Sequence, residues 1–223
     1  RLHAVLGAIL DLRAEGHSEG VGYDGYIMDF AAVWLRMLPE PDRSPILNHP
    51  RFDDLLDESI HLSTPGDISL VAEMSDVEPK EMPFHMCAHA KFYRMAPSPR
   101  LAWYLNRVRT DWLRADALAA LRPVANDLAG EPDPAGATDA HYALTLRSGW
   151  QPEDLAVAMS ATSSPMSHVQ KDNGTLVIGT RGKWLISDPG YQQYLKKQER
   201  VFTLGATAHN APVINGKAQE EKL

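Results

Sequence analysis

Four stretches of this sequence combine proton-transferring or metal-capable side chains with backbone punctuation. The first is EGHSEGVGYDGY, Glu15 to Tyr26. Its four glycines let the backbone turn and approach a partner closely. His17, Glu19, Tyr23 and Tyr26 sit among them. A tyrosine on a glycine-rich loop can act as general acid or base when its surroundings lower the phenol from its ordinary pKa of about 10. The same pattern also describes an interhelical loop with an aromatic plug. The second stretch is SSPMSHVQKDNG, Ser163 to Gly174. It is too polar for a strand and places His168 near a strand end, where functional residues gather. Asp172 and Asn173 before Gly174 read as turn chemistry.

The third stretch pairs Asp188, ahead of Pro189-Gly190, with His209 and Asn210 in TAHNAPVING. Two histidines and an aspartate make a zinc-capable set, because imidazole and carboxylate suit that ion. The spacing is long, so His168, Asp188 and His209 would meet only through folding. Asp188 also reads as a turn-capping residue. The fourth is His85-Met-Cys87-Ala-His89. It offers either a metal or thiol site or, if helical, two histidines on one face and an inert buried thiol.

The elements that must position these groups change character near residue 134. Leu2, Val5, Leu6, Ile9 and Leu10 repeat at helix spacing, ending at Gly16. Ile27 to Leu38 repeat the pattern and stop at Pro39, and Phe52 to Ile60 follow Pro50. Residues 101–128, rich in Ala, Leu and Arg, read as helical, with Trp103 and Trp112 as packing anchors. After a linker at Gly130–Ala137 the period becomes two. HYALTLRS alternates, and LAVAMSA sets Leu155, Val157 and Met159 on one face. TLVIGT and KWLIS flank Arg181-Gly182 as a hairpin, and residues 200–216 add one or two strands. Helices before strands predict an α+β chain, helical over 1–133 and stranded over 134–223.

Bulk composition narrows the function classes. The chain has 223 residues, 44% of them apolar, and a net charge of −7. That balance argues against a broad nucleic-acid surface, which needs a basic stripe. A local basic cleft for an anionic ligand is compatible with it. The single cysteine excludes an intrachain disulfide. No apolar run approaches the roughly 20 residues needed to span a bilayer. Compartment, whether periplasmic, secreted or cytoplasmic, and oligomeric state stay open.

Taken in order, SEGVGY after an apolar helix, SHVQKDNGTLVIGTRGKWLISDPGYQQY and TAHNAPVING resemble the heparinase II/III-like polysaccharide lyases, which include heparin and oligoalginate lyases. The resemblance covers about 16–26 and 146–219. It implies an (α/α) toroid followed by an antiparallel β-sandwich, with both parts truncated in this chain. It also implies β-elimination on a uronic-acid-containing glycan to give an unsaturated uronate. Tyr23 then resembles the family tyrosine that protonates the leaving oxygen. His168 resembles the histidine that enters the cleft as base or carboxylate partner. Glu19, Tyr26, Gln170 and Asn210 are the neighbouring groups expected to meet the substrate.

Asp188 and His209 resemble two ligands of a structural zinc. Relatives with that zinc commonly read His-x-His where this chain reads His168-Val169-Gln170. Gln170 is a poor zinc ligand, so no cofactor is required, and Asp188 and His209 either hold a zinc or brace the sandwich directly. Relatives also carry an Asn or His on a toroid helix upstream of the tyrosine, which neutralises the substrate carboxylate. That residue is expected before Arg1. The alternatives are a non-catalytic carbohydrate-binding relative and a toroid-type glycoside hydrolase. The latter needs two opposed carboxylates, and only Glu19 and Asp24 lie in the right loop.

Overall fold

The computed structural model describes residues 2–14, 20–76, 82–119, 130–134, 143–161, 170–190 and 197–217. These form a mixed fold of helices and antiparallel strands. The helices α1 (Leu2–Ala14), α2 (Val21–Met37), α3 (Glu40–Leu47) and α4 (Phe52–His61) come first. A short hairpin of β1 (Ser63–Thr64) and β2 (Asp67–Val71) follows, then α5 (Met82–Met95), α6 (Pro99–Leu105) and α7 (Ala115–Leu118). Strands β3 (Ala143–Arg147), β4 (Ala156–Ser160), β5 (Leu176–Thr180) and β6 (Lys183–Ile186) make one antiparallel sheet in chain order. Helix α8 (Lys197–Thr203) and a 3-10 turn at Ala206–Ala208 complete the described residues. None of the described helices is long and apolar enough to cross a membrane.

Several sequence readings need correction. Helix α2 begins at Val21, so Tyr23 and Tyr26 lie in its first turns and not on a loop. The apolar repeat from Ile27 marks only its later part. Residues 101–119 do not form one helix. Ser98 caps α6 by accepting from the Leu101 amide at 3.2 Å, and the chain then breaks through a 3-10 turn at Thr110–Trp112 before α7. The hairpin at 63–71 has no alternation long enough to announce it. Residues 197–203 are helical where strands were expected. Lys197-Gln-Glu-Arg is a run of strong helix formers, and it outweighs the single β-branched Val201. The expected hairpin at 181–182 is present. Arg181 and Gly182 both have positive φ, 53° and 66°, as a tight two-residue turn requires.

The helical core gathers Leu35, Ile60, Met86, Phe92 and Trp103, all fully buried. Within it Lys91 is fully buried between two carboxylates, Asp29 at 2.7 Å and Asp116 at 2.5 Å. Arg114 also pairs with Asp29. A buried cation is tolerated only when paired in this way, and the network ties α2, α5 and α7 together.

A second core joins the two kinds of structure. Val21, Leu62, Val71, Ala72 and Met74 pack on the inner face of the sheet at Ala143, Ala158 and Val177. The face of β4 carrying Val157 and Met159 is therefore the outer one. Small residues, Ala156, Ala158 and Ser160, take the inner side because the hairpin presses close. The outer face pairs Leu144 with Met159, Met159 with Leu176, Leu146 with Val157, and Ile178 with both Val157 and Ile186.

Arg147 fastens the sheet to the helices. Its guanidinium donates to the carbonyls of Ile60, His61 and Ser63 at 3.3, 3.4 and 2.8 Å. Those groups belong to the end of α4, where carbonyls lack helical partners, and to the first residue of β1. The guanidinium also stacks 3.7 Å above the Trp150 ring centroid. Burial pulls its pKa down to about 10, so it stays charged at neutral pH. Trp184 adds an indole N–H bond to the Val71 carbonyl at 3.1 Å. Replacing Arg147 with Met keeps the apolar stem and removes the guanidinium donors to these carbonyls. Chemical denaturation should show a loss of about 1–3 kcal/mol, and an unchanged midpoint would remove Arg147 from this role.

Candidate functional site

Three chain segments converge at the seam between helices and sheet. The first is the start of α2. Gly20 sits at φ 96° with no side-chain cap, and a Cβ placed there would come 2.8 Å from the Ser75 Cβ. Only glycine permits both the backbone angle and the approach. One residue on, Val21 is fully buried in the second core, and its carbonyl accepts a hydrogen bond from His85 Nε2 of α5. Tyr23 follows, half-buried. Tyr26, one turn later, is 45% exposed and joins an aromatic group. Its ring lies 4.7 Å from Phe30 and edge-on to Phe84 at 5.1 Å. The two tyrosines are thus distinguishable. Tyr23 is near the seam, whereas Tyr26 packs along the helix.

The second segment is residues 72–76, and the third is the β4–β5 loop. Ser75 has φ 62°, an uncommon angle for a non-glycine residue. Asp172, from the loop, holds it there. Asp172 Oδ2 accepts from the Ser75 amide at 3.0 Å and from its hydroxyl at 3.1 Å, across 97 residues of sequence. Asp172 is fully buried, so its role is this cross-link and not only turn formation. Gln170 is buried beside it and donates to Asp76 Oδ1 at 2.8 Å. Asp76 also faces Arg200 of α8 at 3.9 Å. His168, two residues before Gln170, lies outside the described residues, as do Glu19 and His17.

Asp188 and His209 meet directly. His209 Nδ1 donates to Asp188 Oδ2 at 2.6 Å, and both side chains are fully buried. The other carboxylate oxygen accepts from the Gly190 amide at 2.9 Å, so Asp188 also caps its Pro-Gly turn. Asn210 is exposed and donates to the Ser187 carbonyl at 3.1 Å. Asp188 and His209 bind each other through Nδ1, and Gln170 is committed to Asp76. Among the described residues no group of three His, Cys, Asp or Glu residues could hold a metal, and His168 lies outside them. The His85–Cys87–His89 stretch is helical. The His89 ring lies between the carbonyls of His85 at 2.5 Å and Leu56 at 3.1 Å. Cys87 is buried, and burial pushes its thiol upward.

Electrostatics at the seam run in one direction. Burial and then the Asp188 charge raise the pKa of Asp172, and the same two causes raise Glu73. Burial alone would lower His209, but the hydrogen bond and charge of Asp188 outweigh it and the ring titrates above the ordinary histidine value. For a carboxyl group raised in the fold, the stabilising contribution is complete below its unfolded pKa. It is lost as pH rises through the folded pKa. Asp172→Asn keeps an acceptor for Ser75 and abolishes the titration. Melting temperatures measured across acidic to neutral pH should decline less steeply in this variant than in the parent. Asp172→Ala should instead cost about 1–3 kcal/mol through the unpaired Ser75 donors. Identical pH profiles for parent and Asp172→Asn would contradict the assignment.

Sequence reasoning missed Ser75, Asp76 and Arg147. Only the positive φ and the long-range partners mark them, and neither leaves a local periodicity.

Comparison with known proteins adds the lineage. A family model described as "Heparinase II/III-like, C-terminal" matches residues 130–222. The fold resembles a solved heparinase III with a TM-score of 0.64 at 17% identity, over 98% of this chain and 35% of that one. It also resembles the heparan sulfate lyase HepC from Pedobacter heparinus, with a TM-score of 0.60 at 16% identity, over 96% of this chain and 33% of that one. This chain spans about a third of the length of these relatives. No curated protein matches it. The C-terminal segment, residues 130–222, thus resembles the heparinase II/III-like family, and the described fold is shared with heparinase III.

Proposed function

We infer that the chain is part of a polysaccharide lyase that cleaves a uronic-acid-containing glycan by β-elimination. The observation that carries this reading is the convergence of the Tyr23 turn with the 170–172 loop. Gly20, Ser75 and Asp172 touch in succession, so the helix start bearing Tyr23 is held against the loop that follows His168. The family match over residues 130–222 supports the reaction class, and solved structures of similar fold are called heparinase III and heparan sulfate lyase.

The chemistry sets the demands. The C5 proton of a uronate lies beside a carboxylate and is weakly acidic. A base must take it, the C4–O4 bond breaks as the C4–C5 double bond forms, and an acid must protonate O4. Tyr23 serves as the acid to O4 and His168 as the base or carboxylate partner. Glu19, Tyr26, Gln170 and Asn210 border the substrate. The helical part is a segment of an (α/α) toroid, and the sheet is one layer of a β-sandwich. The apolar outer face, with Leu146 64% exposed and Leu144 42% exposed, supports a second layer there, because large apolar patches mark interfaces. Asp188 and His209 brace the sandwich without zinc.

Two measurements test this. Incubation of the full-length protein with alginate, heparin or heparan sulfate should raise the ultraviolet absorbance of an unsaturated uronate on at least one of them. Tyr23→Phe should lower the rate about a hundredfold or more with the circular dichroism unchanged. Absence of product on every uronate from folded protein, or full turnover by Tyr23→Phe, rejects the proposal. Elemental analysis of purified protein should give well under one zinc per chain, and stoichiometric zinc would overturn the brace.

A further inference from the structure

At the opposite end of α2, 13 residues and about 20 Å beyond Tyr23, lies a second polar cavity. Arg36, Arg43, Arg94 and Met95 line its volume of about 270 Å³. Three arginines line it, and no carboxylate is among its described lining residues, in a chain whose net charge is −7. Two of the arginines have an ordinary explanation. Arg36 and Arg94 occupy the last turns of α2 and α5, where the negative helix end favours cations. Arg43 does not. It is the fourth residue of α3, near the positive end, where the helix dipole opposes it. Its Nε is buried without a hydrogen-bond partner among the described residues. Arg94 spends one donor on the Ala119 carbonyl at 3.1 Å and keeps the rest of its fork.

Arg36 and Arg94 are exposed, so solvent screens their repulsion, and the buried Arg43 Nε is the donor that an entering anion would satisfy. We propose that the Arg36–Arg43–Arg94 cavity binds a sulfate-type oxyanion. Guanidinium forks match the paired oxygens of such groups, and their hydrogen bonds are charge-assisted. The cavity has room for about nine waters, more than a lone sulfate needs and comparable to one sulfated sugar residue. This proposal is independent of the catalytic reading, because the cavity lies at the far end of α2.

The test is isothermal titration of the full-length protein with sodium sulfate, galactose 6-sulfate and galactose, with sodium chloride at matched ionic strength as reference. Sulfate also stabilises proteins by exclusion, so saturable heat, not melting temperature, is the readout. Sulfate and galactose 6-sulfate should bind saturably and galactose should not. Arg43→Gln and the exposed Arg36→Gln should each weaken binding about tenfold. Tighter binding of galactose 6-sulfate identifies the anion as a sugar sulfate, and equal binding identifies it as the free ion. No saturable binding of either sulfate, or binding unchanged in both variants, overturns the proposal. Arg36→Gln decides the matter if Arg43→Gln does not fold.

Discussion

The structure depends on one buried cation crossing from sheet to helix. Arg147 leaves β3 and places its guanidinium against the carbonyls that end α4 and begin the hairpin. The Ile60 carbonyl also accepts from the Ser63 hydroxyl at 2.6 Å, whereas without Arg147 the His61 and Ser63 carbonyls would lose a charge-assisted donor, a cost that packing alone does not offset. With it, the hairpin and residues 71–74 are pressed onto the sheet, whose inner face is narrowed to alanines and a serine to receive them. Everything at the candidate site is downstream of that docking. Ser75 can reach Asp172, and Gly20 can reach Ser75, only because the two layers already meet.

The seam accepts electrostatic strain in return. Glu73, Asp172 and Asp188 share a small volume, and the cost shows in the raised pKa values of Glu73 and Asp172. His209 and the Ser75 donors offset part of it. A direct Asp188–His209 bond links the end of β6 to the segment after α8.

Much of this was legible in the sequence, and the limits have physical causes. Helical periodicity before residue 134 and alternation after it gave the fold class. Arg181-Gly182 announced its hairpin because turn geometry is a local demand. Asp188 and His209 could be paired from the resemblance alone. By contrast, Asp172 looked like any Asp-Asn-Gly turn, because its partner stands 97 residues away. Arg147 looked like an ordinary strand charge, since nothing local says that a helix end waits for it. The 63–71 hairpin is too short for a period, and the helix-forming run of α8, Lys197 to Arg200, is too brief to show one. The start of α2 is hidden because glycines at 20, 22 and 25 mimic a loop, while Gly20 and Gly25 serve close packing against Ser75 and His85.

The central claim is that this seam serves elimination and not hydrolysis, and the fate of water distinguishes the two most directly. The full-length protein should digest a uronate-containing glycan in water enriched in heavy oxygen, with the products read by mass spectrometry. Elimination predicts that the first-formed products carry no heavy oxygen at the cleaved bond and end in an unsaturated uronate. One heavy oxygen per cleavage, on saturated ends, would contradict the account.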